Sequence, residues 1–221
     1  MTQDLSSRSG SRDKKLADLL GAGPIVPVIT LERVEDAVPL ARALIAGGLR
    51  LLEITLRTPA AADAAAAIIE EVPEAIVGIG TVLTPKDLER AQALGARFAL
   101  SPGATPTLLE AAAASDMPFI PGIATASELM AALAHGFNTC KFFPAVAAGG
   151  IPALKALAGP FPQARFCPTG GVDGNNAKDW LALPNVVAVG GSWVCQTADI
   201  RAQAWSDITA KARHAVASVQ G

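Results

Sequence analysis

Apolar residues in this chain fall in short, β-branched runs separated by alanine-rich stretches of helical length. The runs occupy 25–29, 50–55, 75–80, 97–101, 118–123, 139–143, 165–169 and 186–190. They are almost continuously apolar, the pattern of parallel strands covered on both faces. Thr58-Pro59, Thr84-Pro85 and Thr105-Pro106 each place a capping residue before a proline at the first helical position. Thr125-Ala126-Ser127-Glu128 reads as a capping box, and Gly47-Gly48, Gly95, Gly136 and Gly159-Pro160 as helix stops. Strand-then-helix units repeating every ~20–30 residues predict an α/β fold, a single-domain (β/α)8 TIM barrel over residues 14–221. A doubly wound open sheet is the main alternative, but no GxGxxG follows the first strand. Residues 1–13, rich in Ser, Arg and Asp, predict a disordered polar tail. Pro27 conflicts with its surroundings, because it removes a ladder hydrogen bond from the first strand.

Composition narrows the partners. A net charge of −2 over 221 residues, without a Lys/Arg cluster in the folded region, argues against nucleic acid. No apolar run approaches the ~18 residues that span a bilayer, and the polar N-terminus does not resemble a secretion signal. The expectation is no membrane partner and a cytoplasmic protein. Cys140, Cys167 and Cys195 lack CxxC spacing and lie in apolar segments, as packed, reduced thiols do. His135 and His214 are the only histidines and cannot be grouped into a zinc site, so no metal is expected.

Lys141 stands where a lysine is out of place, in the apolar run Asn138-Thr139-Cys140-Lys141-Phe142-Phe143-Pro144. Lysine is almost never fully buried without compensation, and burial disfavours the ammonium, which is how lysine becomes an amine nucleophile. The alternative is a strand-end lysine whose head reaches solvent. Period-two alternation puts Thr139, Lys141 and Phe143 on one face. In the second strand it puts Glu53, Thr55 and Arg57 together. At the mouth of a barrel, where chemistry sits at the C-terminal strand ends, Glu53, Arg57 and Lys141 converge. A structural Glu53–Arg57 pair is the competing account, although buried ion pairs are poor stabilisers.

Gly78-Ile79-Gly80-Thr81 and Ser101-Pro102-Gly103 end the third and fourth strands with small groups that leave room for a ligand. Cys167-Pro168-Thr169-Gly170-Gly171 and Val189-Gly190-Gly191-Ser192 place paired glycines after the seventh and eighth strands. Loops at those positions are the usual phosphate site of such barrels, because backbone N–H groups can close on the anion. Ordinary turns are the alternative.

These segments, with Glu53-Ile54-Thr55-Leu56-Arg57-Thr58, Gly80-Thr81-Val82-Leu83, Ile120-Pro121-Gly122, Lys141-Phe142-Phe143-Pro144-Ala145 and Gly190-Gly191-Ser192-Trp193, resemble the 2-keto-3-deoxy-6-phosphogluconate aldolases over about residues 14–220. Members of that family often act also on 4-hydroxy-2-oxoglutarate. The resemblance implies a metal-free, cofactor-free Schiff-base aldolase of the Entner–Doudoroff pathway, usually a homotrimer, releasing pyruvate and glyceraldehyde 3-phosphate from a phosphorylated keto acid. It makes Lys141 the Schiff-base lysine and Glu53 the acid/base. Arg57 and Thr81 hold the substrate carboxylate, Pro102 and Phe143 line the pocket, and Thr169, Gly170, Gly171, Gly190, Gly191 and Ser192 bind phosphate. Val146 departs from the acidic residue many members carry after this lysine segment. A phosphosugar isomerase or decarboxylase on the same barrel, or a non-catalytic sugar-phosphate sensor, remains the competing reading.

Overall fold

The structure, a computed structural model, describes residues 2–220. Its strands are β1 (Ile25–Ile29), β2 (Leu51–Thr55), β3 (Ile76–Gly80), β4 (Phe98–Leu100), β5 (Phe119–Ile120), β6 (Gly122–Ile123), β7 (Thr139–Phe142), β8 (Arg165–Pro168) and β9 (Val189–Gly191). All pair in parallel, in a six-stranded sheet ordered β5-β4-β3-β2-β1-β9 and a three-stranded sheet ordered β6-β7-β8. Helices alternate with the strands, giving a parallel α/β fold. Pro121 divides the predicted fifth strand into β5 and β6, yet its carbonyl still accepts from the Lys141 amide at 2.8 Å. An isolated bridge, Thr169 with Gly190, links the end of β8 to β9.

Pro27 has a physical explanation. The register of β1 with β9 ends at Pro27–Gly191, and its register with β2 begins at Val28–Glu53. The missing N–H falls where the strand changes partner.

Strands β1, β2, β4, β5 and β8 send alternate side chains to different cores. Ile25, Ile29, Leu52, Ile54, Val77, Ile79, Ala99, Cys140, Phe142 and Phe166 pack into the large core shared with the helices. Val26, Leu51, Phe98, Leu100, Ile120 and Cys167 point to the opposite side, where Leu16 and Leu19 of the helix Thr2–Leu20 cover them. That helix takes in residues 2–13, for which the sequence predicted a disordered tail. Arg12 is the reason visible there. Buried at 4% exposure, it donates to the carbonyls of Ala112 at 2.9 Å and Ala113 at the end of helix Pro106–Ala114. A cation suits the carbonyl end of a helix dipole, and the Phe137 ring centroid lies 5.0 Å from its guanidinium carbon.

Thr84 and Thr125 form the capping boxes of their helices with Asp87 and Glu128, and Thr105 caps the helix at Pro106. Thr58 does not cap. Its helix starts later, at Ala61, and the Thr58 hydroxyl instead donates to the Leu31 carbonyl, tying the β2 exit to the β1 exit.

Candidate active site

On β2, Leu52 and Ile54 enter the helix-side core, which turns Glu53 and Thr55 to the other face. On β7, Cys140 and Phe142 do the same and turn Lys141 inward. The two strands bring Lys141 Nζ to 2.7 Å from Glu53 Oε1, with the residues 3% and 1% exposed. Small neighbours make the room. Lys141 is in register with Gly122 and Cys167, and Glu53 with Gly78. Such a pair carries a desolvation cost that its own attraction need not repay, so its presence calls for chemistry. Lys141 does not snorkel. The second carboxylate oxygen, Glu53 Oε2, is buried without a hydrogen-bond partner among the described residues, leaving an acceptor for a ligand.

Arg57 is not the partner of Glu53. Strand β2 stops at Thr55, and Arg57 lies in the following turn, exposed, its amide donating to Thr55 O at 2.8 Å. Its departure from the strand ends the alternation on which the shared face was predicted. Arg57 instead lines a cavity of about 240 Å³ with Phe143, Thr169, Gly170, Gly171, Gly191 and Ser192. These come from the C-terminal ends of β2, β7, β8 and β9. The Phe143 ring centroid lies 5.7 Å from Lys141 Nζ, so this cavity adjoins the buried pair. A larger cavity, about 680 Å³, is lined by Arg50, Ile76, Arg97 and Pro118 at the opposite strand ends and by none of the predicted site residues.

The paired glycines differ in kind. Gly170 and Gly171 have φ of +96° and +80°, a left-handed pair that side chains rarely allow, and both line the cavity. The amides of Ala145 and Val146 hold this loop by donating to Thr169 O at 2.7 Å and Gly170 O at 3.0 Å. Gly190 and Gly191 belong to β9 rather than to a loop after it. A β-carbon on Gly190 would overlap the Thr169 side chain, and Gly190 does not line the cavity. The absence of a side chain at Gly190 leaves room for Thr169.

Thr81 and Pro102 also lie outside the cavity lining. Thr81 follows β3 at φ +60°, an uncommon conformation for a β-branched residue, with Gly80 O accepting from Leu56 N just past β2 and Val82 N donating to Leu100 O of β4. Pro102 packs its backbone on Gly122, beside Lys141 in register.

Sequence reasoning passed over Thr30. It stands one residue beyond β1, lines the same cavity, and lies 3.1 Å from Thr55 Oγ1. A single threonine after a strand carries no signal of its own; only the neighbouring strand end gives it meaning.

The family model described as "Aldolase: KDPG and KHG aldolase" matches residues 16–211. A KHG/KDPG aldolase of Escherichia coli K12 is 54% identical over 198 residues, covering 90% of this chain and 93% of its own. The chain belongs to the KDPG and KHG aldolase family. Among solved structures of KDPG aldolases, one from Legionella pneumophila superposes with a TM-score of 0.87 at 50% identity, covering 89% of this chain and 96% of that one. It holds pyruvate captured at low pH as a covalent carbinolamine intermediate. Another, from Zymomonas mobilis ZM4 with 3-phosphoglycerate, gives a TM-score of 0.84 at 45% identity over 90% and 94% of the two chains.

Within this aldolase fold the cysteines are packing residues. Burial pushes the thiols of Cys140, Cys167 and Cys195 up to about 12. Among the described residues no three His, Cys, Asp or Glu side chains are grouped to hold a metal ion, and no helix is long and apolar enough to cross a membrane.

Proposed function

We propose that the chain is a Schiff-base aldolase cleaving 2-keto-3-deoxy-6-phosphogluconate to pyruvate and glyceraldehyde 3-phosphate, with 4-hydroxy-2-oxoglutarate as a second substrate. The observation that carries this is the buried Lys141–Glu53 contact of 2.7 Å beside a cavity lined by Arg57, Gly170, Gly171 and Gly191. Lys141, as the free amine, attacks the C2 ketone, and Glu53 moves the protons as the carbinolamine loses water. The iminium is the electron sink, so the route draws on no metal or cofactor. Glu53 removes the C4 hydroxyl proton, the C3–C4 bond breaks, and its electrons pass into the enamine. Glyceraldehyde 3-phosphate departs, C3 takes a proton, and hydrolysis frees pyruvate and Lys141.

Arg57, on the exposed turn, and Thr81, held left-handed at the end of β3, are assigned to the pyruvoyl carboxylate. Pro102 and Phe143 flank the reacting carbons. Thr169, the left-handed Gly170–Gly171 pair, Gly190, Gly191 and Ser192 are assigned to the phosphate, Gly190 also leaving room for the Thr169 side chain. The two sheets are read as one closed eight-membered barrel, with β5 and β6 as one interrupted strand and the Thr169–Gly190 bridge as the seam. A cytoplasmic homotrimer, carried from the resemblance, completes the proposal, and sedimentation equilibrium measures the subunit count.

Borohydride added with pyruvate is expected to leave a reduced adduct on Lys141 alone, seen by peptide mass spectrometry. Cleavage at near wild-type rate in Lys141→Ala would sink the mechanism, and chelator-sensitive cleavage would replace it with metal chemistry. A sensor would bind the phosphosugar without releasing pyruvate in a coupled assay.

A further inference from the structure

Thr30 has hydrogen-bonding capacity that the proposed roles leave unused. Thr55, fully buried, donates its Oγ1 hydrogen to the carbonyl of Ile29 at 2.8 Å. A hydroxyl has one hydrogen. In the 3.1 Å contact between Thr55 Oγ1 and Thr30 Oγ1 the donor is therefore Thr30. Thr30 lines the cavity, and its oxygen, with its hydrogen committed to Thr55, keeps lone-pair capacity. A fully ionised phosphate or a carboxylate offers only acceptors, and Thr30 in this arrangement cannot serve either. It suits an O–H donor.

The position selects the donor. Thr30 lines the cavity together with Phe143, which adjoins Lys141, and with Gly170, Gly171, Gly191 and Ser192. On the reading given above, the substrate carries two hydroxyls between those ends, at C4 and C5. The C4 proton goes to Glu53. We infer that Thr30 accepts a hydrogen bond from the C5 hydroxyl and is a specificity-determining residue for the phosphorylated six-carbon substrate. 4-Hydroxy-2-oxoglutarate has a carboxylate carbon at C5 and gains nothing from it. A site arranged to pair a hydroxyl discriminates against the analogue without one, because the half-buried partner is left unmatched. The inference rests on the aldolase reading but can fail separately from it.

The test runs the reaction as condensation of pyruvate with two aldehydes of equal length. Glyceraldehyde 3-phosphate supplies the future C5 hydroxyl; its 2-deoxy analogue, 3-oxopropyl phosphate, does not. Wild type is expected to favour the hydroxylated aldehyde in kcat/KM by about five- to tenfold. Thr30→Val should reduce that ratio to near one by losing rate on glyceraldehyde 3-phosphate, and Thr30→Ser should keep it. Equal preference in wild type, or a ratio unchanged in Thr30→Val, overturns the inference. So does equal loss on both aldehydes, which marks Thr30 as structural. The wild-type and Thr30→Ser ratios decide the matter even where Thr30→Val does not fold. Absence of a pyruvate adduct on Lys141 in wild type is the separate failure that removes the aldolase reading itself.

Discussion

A β-carbon on Gly80 would stand 2.6 Å from Cγ and 2.8 Å from Cδ of Glu53, so the glycine on β3 leaves the space the carboxylate occupies. Contacts that short force one group to move, and the end of the Glu53 side chain is the part free to do so. Gly80→Ala is expected to keep the fold while pushing Glu53 off Lys141. A displacement of about 1 Å at a reacting group costs on the order of 100-fold in rate. Circular dichroism should stay native while kcat drops; kcat near wild type would mean the carboxylate keeps its place.

Lys141 and Glu53 also make opposite demands on stability and function. Removing one member of a buried pair leaves a lone charge, at a cost of about 3–5 kcal/mol, whereas replacing both by apolar groups is often neutral. Lys141→Met should therefore be inactive and less stable by that amount. Lys141→Met combined with Glu53→Leu should be equally inactive yet regain most of the loss. Urea unfolding of the three proteins checks this. A double variant no more stable than the single one would show that the pair holds the fold together.

Burial raises the thiols of Cys140, Cys167 and Cys195 to about 12. Since the thiolate is the reactive species, iodoacetamide at about pH 8 should leave the native protein unmodified and label all three cysteines once urea unfolds it. Mass spectrometry distinguishes the two states. Rapid native labelling of Cys195, which lines the cavity, would show that its burial opens in solution.

How far the sequence could be read followed the physical origin of each feature. Lys141 and Glu53 were legible because strand alternation is a strict period and a charged residue in an apolar run is an exception to it. Arg57 lies two residues past the strand end, where that period no longer applies, so its position on a turn could not be foreseen. The loop glycines 170 and 171 and the strand glycines 190 and 191 look alike in one dimension; backbone angles separate them. The helix through residues 2–13 escaped notice because one buried Arg12, anchored about a hundred residues away at Ala112, accompanies an otherwise polar composition. Thr30 acquires its role from a hydroxyl on the neighbouring strand.

Glu128 gives a pH-dependent contribution whose direction is fixed by its contacts. The amide of Ala124 at 2.8 Å, then the hydroxyl and amide of Thr125 at 2.9 Å, hold its carboxyl below the ordinary value of 4.5. A depressed carboxyl stabilises the fold above the unfolded value, and the contribution disappears as pH falls through the folded one. Glu128→Ala should cost about 1 kcal/mol at neutral pH, typical for a lost cap. The difference should narrow once pH falls well below 4.5. Urea titrations of both proteins at the two pH values measure it, and a constant gap would assign the loss to packing.

Ser192 is exposed at the end of β9 and faces the same cavity as the left-handed Gly170–Gly171 pair. A serine hydroxyl beside a left-handed glycine pair on one hollow suits a phosphate, and the hydroxyl adds a donor that alanine lacks. Ser192→Ala should raise KM for 2-keto-3-deoxy-6-phosphogluconate about tenfold, the effect of losing one hydrogen bond to a charged group. 4-Hydroxy-2-oxoglutarate, which carries no phosphate, should be cleaved as before. Because backbone amides remain, some preference for the phosphorylated substrate should persist. A KM ratio that does not move would place the phosphate elsewhere along the cavity.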